Sequence, residues 1–151
     1  VMRRRAGYIA LHTGIAVGAT AILAEVPFDL EKDVIEKILN TKKSGKKHFI
    51  VVVAEGVGHV DELAKEIEAN AAESRATVLG HVQRGGSPTV RDRVMASEMG
   101  YHAVQLLKQG IGNRVVCLCD GKVVDKDIFE ALNEKKSYEF ELHKIAHDIS
   151  I

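Results

Sequence analysis

Arg75-Ala-Thr-Val-Leu-Gly-His-Val-Gln-Arg-Gly-Gly-Ser-Pro-Thr-Val-Arg-Asp-Arg93 decides how the chain is read. The run Arg75 to Leu79 has the β-branched content of a short strand. It breaks at Gly80, places His81 and Arg84 three positions apart, and turns through Gly85-Gly86. Ser87 is expected as the N-cap of the following helix, with Pro88 at its first position. A strand, a glycine-rich turn and a helix N-terminus in succession favour an anion, because unpaired N–H groups and the positive end of the helix dipole converge there. Arg84 supplies a planar fork for phosphate oxygens and His81 a second donor. The plainer alternative is a strand–turn–helix connection in which Arg75, Arg84, Arg91 and Arg93 are simply solvated.

Outward from this stretch, helical and extended patterns alternate. Upstream, His48-Phe-Ile-Val-Val-Val-Ala54 is nearly all apolar, as a strand buried on both faces should be. Glu55 stands at its carboxyl end, where ligands gather in open α/β sheets. An amphipathic helix, His59 to Ala71, separates the two segments. Earlier still, Ala6 to Val17 reads as a helix with Ala6, Ile9, Ala10, Thr13 and Val17 on one face, its glycines allowing close approach to a sheet. Ala21 to Val26 reads as a strand, and Asp29 caps a helix on Val34, Ile35, Ile38 and Leu39. Thr41 to Lys47 is a basic polar loop.

Downstream, a helix runs from about Pro88 to Gln109, with Val94, Met95, Met99, Ala103, Leu106 and Leu107 expected inward. Arg114 to Cys119 is a strand, Asp120-Gly121 a hairpin turn, and Asp127 a helix cap. A last short helix is built on Leu142, Ile145 and Ile149. The fold class expected is α/β: a parallel sheet with helices on both faces, plus a β-hairpin near the C-terminus.

The 151 residues are 46% hydrophobic and 28% charged, as in a soluble globular protein. Twenty-one basic residues balance 21 acidic ones, which gives no general case for nucleic acid or membrane. Arg3-Arg4-Arg5 before the apolar run Ala6 to Ala24 has the outline of a signal peptide, but His12 and Thr13 interrupt it. A packed helix in a cytoplasmic protein is the expectation. Cys117 and Cys119, on one strand, are expected on opposite faces, with neither a bridge nor a shared metal, as reduced core thiols. The chain starts with Val1 on a helix with no strand before it, as a fragment would.

Arg75 to Pro88 closely resembles the sugar-phosphate-binding segment of bacterial-type ATP-dependent 6-phosphofructokinases. Val1-Met-Arg-Arg-Arg-Ala-Gly7 resembles the family's Met-Gly-Arg sugar-phosphate loop, and Val53-Ala-Glu-Gly56 the strand end that gives the sugar a carboxylate. The resemblance covers nearly the whole chain as the C-terminal half of a longer enzyme. It implies that Met2, Arg4, Glu55, His81 and Arg84 line a fructose 6-phosphate site. Arg75 would reach the phosphate in a neighbouring subunit's site, and Gly18 and Lys46 would belong to the allosteric nucleotide site. It implies a homotetramer acting in glycolysis, with Mg2+ and ATP held mainly by the other half. No catalytic or metal-ligating residue is assigned here. The lobes it implies are residues 1–83 for the sugar phosphate, 84–134 as part of the nucleotide lobe, and 135–151 returning.

Three positions depart from the family pattern. Arg3 stands in place of a glycine and Arg5 of a common histidine, which crowds the loop. Thr20 stands where many bacterial members have an acidic effector-site residue, against activation by a magnesium-bound nucleotide. The glycine-rich donor loop and the paired aspartates of the family have no counterpart in these residues, so residues 1–151 alone are expected to be inactive. The donor, ATP or pyrophosphate, is not encoded here. Two other readings compete: a non-catalytic module that binds a sugar phosphate or nucleotide and regulates a partner, and a purely structural α/β domain.

Overall fold

The computed structural model describes residues 1–2, 7–24, 26–134 and 137–150. It divides into two compact units, Val1–Arg84 with Tyr138–Ile151, and Gly85–Ser137.

The first unit is layered around a parallel pair of strands. Helix α1 spans Tyr8–Ala16, strand β1 Ala21–Leu23 and strand β2 Val51–Val53. Ala21 pairs with Val51 and Leu23 with Val53, so Ile22 and Val52 share one face. Against that face pack Ala10 and Leu11 of α1 and Ala146 of α6, Phe140–Ile149. The other face carries Ala21 and Leu23 beneath Val34, Ile38 and Ile67. These come from a π-helical run Glu31–Ile35, from α2, Glu36–Lys43, and from α3, Val60–Asn70. The expected sheet with helices on both faces is present. Asp29 Oδ1 accepts the N–H groups of Glu31 at 3.0 Å and Lys32 at 3.2 Å, the expected cap.

The buried face of α1 is not the expected one. Ala10, Leu11 and Gly14 are buried, whereas Ile9 and Val17 lie on the exposed side. Gly14 explains the rotation: a Cβ there would stand 2.5 Å from the Ile22 side chain, so this face approaches β1 where no larger residue fits. Gly18 ends the helix at φ 62°, with its own N–H on the Ile15 carbonyl and the Ala19 N–H on the Gly14 carbonyl. That pair of bonds is a Schellman turn.

Residues 75–79 do not form the expected strand. They are exposed, and among the described residues no strand pairs with them. A β-branched run becomes a strand only with a ladder partner, which local sequence does not specify. In α6, Ala146 is buried while Ile145 and Ile149 are exposed, a second departure from the expected stripe.

The second unit is a helix on a hairpin. Helix α4 spans Val90–Lys108, strands β3 and β4 Arg114–Cys119 and Lys122–Asp127, and helix α5 Ile128–Asn133. Asp120 and Gly121 both have positive φ, 50° and 76°, as the two-residue turn requires. Asp127 caps α5 through the N–H groups of Phe129 and Glu130.

The N-cap of α4 is Thr89, not Ser87. Thr89 Oγ1 accepts the Asp92 N–H at 3.3 Å and Asp92 Oδ2 accepts the Thr89 N–H at 2.8 Å. This reciprocal box satisfies two N–H groups, where Ser87 offers one. Along α4, Met95, Met99, Ala103 and Leu106 are half-buried, while Val94 and Leu107 are exposed at 52% and 70%. The inward stripe is therefore narrower than expected, and it includes His102. His102 Nε2 lies 2.7 Å from Asp125 Oδ1 on β4, and Arg114 Nε donates to Asp125 Oδ2 at 2.6 Å.

Cys117 and Cys119 are free, half-buried thiols on the same face of β3. The side-chain period of a strand is two, so residues at i and i+2 point the same way. The expected opposition of the two thiols is wrong.

Candidate functional site: a cavity at the carboxyl end of β2

The carboxyl end of β2 is where three segments meet. The Val1 N–H donates to the Val53 carbonyl at 2.7 Å, and the Glu55 N–H donates to the Val1 carbonyl at 2.7 Å. These two bonds set Val1 opposite Ala54 in parallel register and carry Met2 past the strand end beside Glu55. The third segment is the single 3-10 turn His81–Arg84. Gln83 ties it down: its N–H donates to the Gly80 carbonyl at 3.1 Å, its side-chain amide donates to the Leu79 carbonyl, and its Oε1 accepts the Met2 N–H at 3.0 Å.

A cavity of about 740 Å³ opens at this junction. Met2, Glu55, Arg75, His81 and Arg84 line it, over a floor that includes Val52 and Val53. Five of the six substrate-site residues expected from the sequence are thus brought together within one unit. The sixth, Arg4, lies outside the described residues, as do Arg3 and Arg5.

The chemistry of the lining is that of a site for a phosphorylated, hydroxyl-bearing molecule. Two guanidinium groups and an imidazole can hold phosphate oxygens, and the Glu55 carboxylate can accept from a hydroxyl. The cavity wall carrying Val52 and Val53 is apolar, so charge–charge contacts there are screened less than on open surface. Arg75 extends outward, with its side chain 88% exposed and its Nη2 at 3.4 Å from the Glu73 carboxylate.

One expected contributor is missing. The N-terminus of α4 is occupied by the chain's own anion, because Asp92 Oδ2 accepts from both the Thr89 N–H and the Thr89 hydroxyl. Those two bonds hold the Asp92 carboxyl below the usual carboxylate range. A helix end already holding a carboxylate is a poor place for a second anion. Arg91 and Arg93 lie in the first turn of α4, and Arg93 Nε donates to the Pro88 carbonyl at 3.3 Å.

The two effector-site candidates are placed separately. Lys46 lines a second cavity of about 910 Å³, together with Lys42, Lys47 and His48, and Arg75 borders it as well. Gly18 forms the turn that closes α1. Thr20, two residues on, is 1% exposed, and its hydroxyl has no hydrogen-bond partner among the described residues. Gln83 is the residue that sequence reasoning missed. The signal was its position inside the turn that carries His81 and Arg84.

Residues 1–107 match the family model described as Phosphofructokinase. The chain belongs to the phosphofructokinase family. It is 48% identical over 153 aligned positions to the ATP-dependent 6-phosphofructokinase of Bacillus thuringiensis strain Al Hakam, covering all of this chain and 48% of that protein. The ATP-dependent 6-phosphofructokinase of Bacillus cytotoxicus is 47% identical with the same coverage. The chain therefore spans about half the length of the curated relatives it matches. Among solved structures, the T-state phosphofructokinase of Pichia pastoris superimposes with a TM-score of 0.74 at 29% identity, over 99% of this chain and 18% of that one. The phosphofructokinase of Saccharomyces cerevisiae gives 0.72 at 23% identity, over 95% of this chain and 23% of that one, a likeness of fold alone. The α/β fold, with its parallel sheet and hairpin, is that of phosphofructokinases.

Proposed function

We propose that this chain is the fructose 6-phosphate-binding half of an ATP-dependent 6-phosphofructokinase, which moves the γ-phosphoryl group of ATP to the sugar in glycolysis. The observation that carries the reading is the convergence of Met2, Glu55, His81 and Arg84 on one cavity at the end of β2, in a member of this family. Arg84 and His81 hold the sugar phosphate, and Arg4 is a third ligand by family resemblance. Glu55 accepts from a sugar hydroxyl, and Met2 lines the pocket beside it. Arg75 serves the phosphate of a neighbouring subunit's site in a homotetramer. Residues 1–83 form the sugar lobe, 84–134 part of the nucleotide lobe, and 135–151 the returning segment.

Among the described residues no group of three His, Cys, Asp or Glu side chains could hold a metal ion. Mg2+ and the donor phosphates are held mainly by the other half of the enzyme. These residues fix the acceptor, and without a donor in line they transfer nothing. Gly18 and Lys46 belong to an allosteric nucleotide site in which Thr20 supplies no charge for a metal. The enzyme works in the cytoplasm.

Calorimetric titration of the full-length protein with fructose 6-phosphate and with fructose tests the reading. Fructose 6-phosphate should bind at least about tenfold more tightly, since charge-assisted phosphate contacts contribute about 1.5–3 kcal/mol. Equal affinities, or no binding of either, would overturn it.

A further inference from the structure

We propose that Cys117 and Cys119 form a two-thiolate site for a soft monovalent metal ion, Cu(I). Cys117 and Cys119 share one face of the hairpin with Val115, Val124, Lys122 and Lys126. Cys117 and Cys119 point the same way from β3. In the antiparallel register Cys119 stands directly opposite Lys122, and Lys126 lies opposite Val115, on the far diagonal from Cys117. Directly opposed Cβ atoms sit about 5 Å apart and diagonal ones about 7–8 Å. Both thiols are half-buried.

A disulfide is the wrong product for this geometry. Two residues of strand rise about 6.6 Å, at the long end of the Cα separations a disulfide tolerates, with Cβ vectors parallel rather than converging. A metal ion adds two bonds to the bridge and removes that misfit. The number of donors then selects the metal. Zinc asks for three or four protein ligands, and no third His, Cys, Asp or Glu joins the pair among the described residues. Thiolate softness favours Cu(I), which two sulfurs satisfy.

Charge points the same way. One Cu(I) displaces two protons from two thiols and leaves a bis-thiolate complex of net charge minus one. Lys122, across from Cys119, offsets that charge. Lys126 is held at the rim by Glu134, at 2.9 and 2.6 Å from its two carboxylate oxygens.

The test uses the reduced full-length protein under anaerobic conditions, titrated into the coloured Cu(I)–bicinchoninate complex, with loss of colour as the readout. Wild type should withdraw one Cu(I) per chain more than C117S/C119S. C117S and C119S should each bind that ion at least tenfold more weakly. K122Q should weaken it severalfold with unchanged stoichiometry, and thermal melting of each variant checks the fold. Single serine variants that match wild type, or a difference of two ions or none per chain with folded protein, would overturn the site.

Discussion

Gln83 Oε1 accepts the backbone N–H of Met2 at 3.0 Å, joining residues 81 positions apart. The bond fixes the turn carrying His81 and Arg84 against the segment that enters beside Glu55. Gln83 thereby acts on the position of that turn.

Gln83→Ala should therefore weaken fructose 6-phosphate binding while leaving the protein folded. Loss of one neutral hydrogen bond is about 1 kcal/mol, or roughly fivefold in affinity. Isothermal titration gives the affinity, and circular dichroism checks the fold. An unchanged affinity would show that the turn holds its shape without this bond.

Thr20→Val should raise stability. The Thr20 hydroxyl is buried without a partner among the described residues, and a valine of the same shape removes that unmet demand. The expected gain is about 1 kcal/mol. A lower melting temperature would mean that the hydroxyl is satisfied in solution.

Gly14→Ala should lower stability. Alanine improves helix propensity by about 1 kcal/mol, but overpacking against a buried neighbour costs about 1–3 kcal/mol. Ile22, 2.5 Å from the Cβ position, is held in the sheet, so the clash outweighs the propensity gain. Denaturant unfolding decides the sign.

Asp125 links stability to pH. Its hydrogen bonds to His102, then to Arg114, hold its carboxyl below the usual aspartate range. Because the folded value is the lower one, the stabilisation is fully present above the ordinary aspartate value, near 3.9. It fades as pH falls through the depressed value. Asp125→Asn should melt earlier than wild type at pH 7, and the gap should close in strong acid. A gap that persists unchanged below the depressed value would remove Asp125 as its origin.

The elements legible in the sequence are those whose cause is local. Asp120-Gly121 sets its hairpin, Asp127 and Asp29 cap their helices, and Gly18 stops α1 through bonds made within six residues. Residues 75–79 were not legible, because strand character needs a partner that no short window specifies. Nor was the cap of α4: Ser87-Pro88 is a plausible start, but Thr89 and Asp92 satisfy one another and win. Helix faces failed where small residues decided the packing, as Gly14 does in α1 and Ala146 in α6. The face of the cysteine pair was legible and misread, since spacing of two on a strand fixes it.

The candidate site was legible as residue types around a turn. Its assembly was not, because it depends on Val1 bonding to Val53 and Glu55, and on Gln83 reaching Met2. Such contacts between distant positions leave no periodic trace in the sequence.

In the function proposed above, Arg84 holds the sugar phosphate whereas Arg91, in the first turn of α4, does not. Isothermal titration of fructose 6-phosphate into full-length wild type, Arg84→Ala and Arg91→Ala separates the two arginines. Arg84→Ala should lose about 1.5–3 kcal/mol of binding, roughly ten- to a hundredfold, and Arg91→Ala should stay within about twofold of wild type. Equal losses in the two variants would contradict it, reducing Arg84 to one surface charge among several.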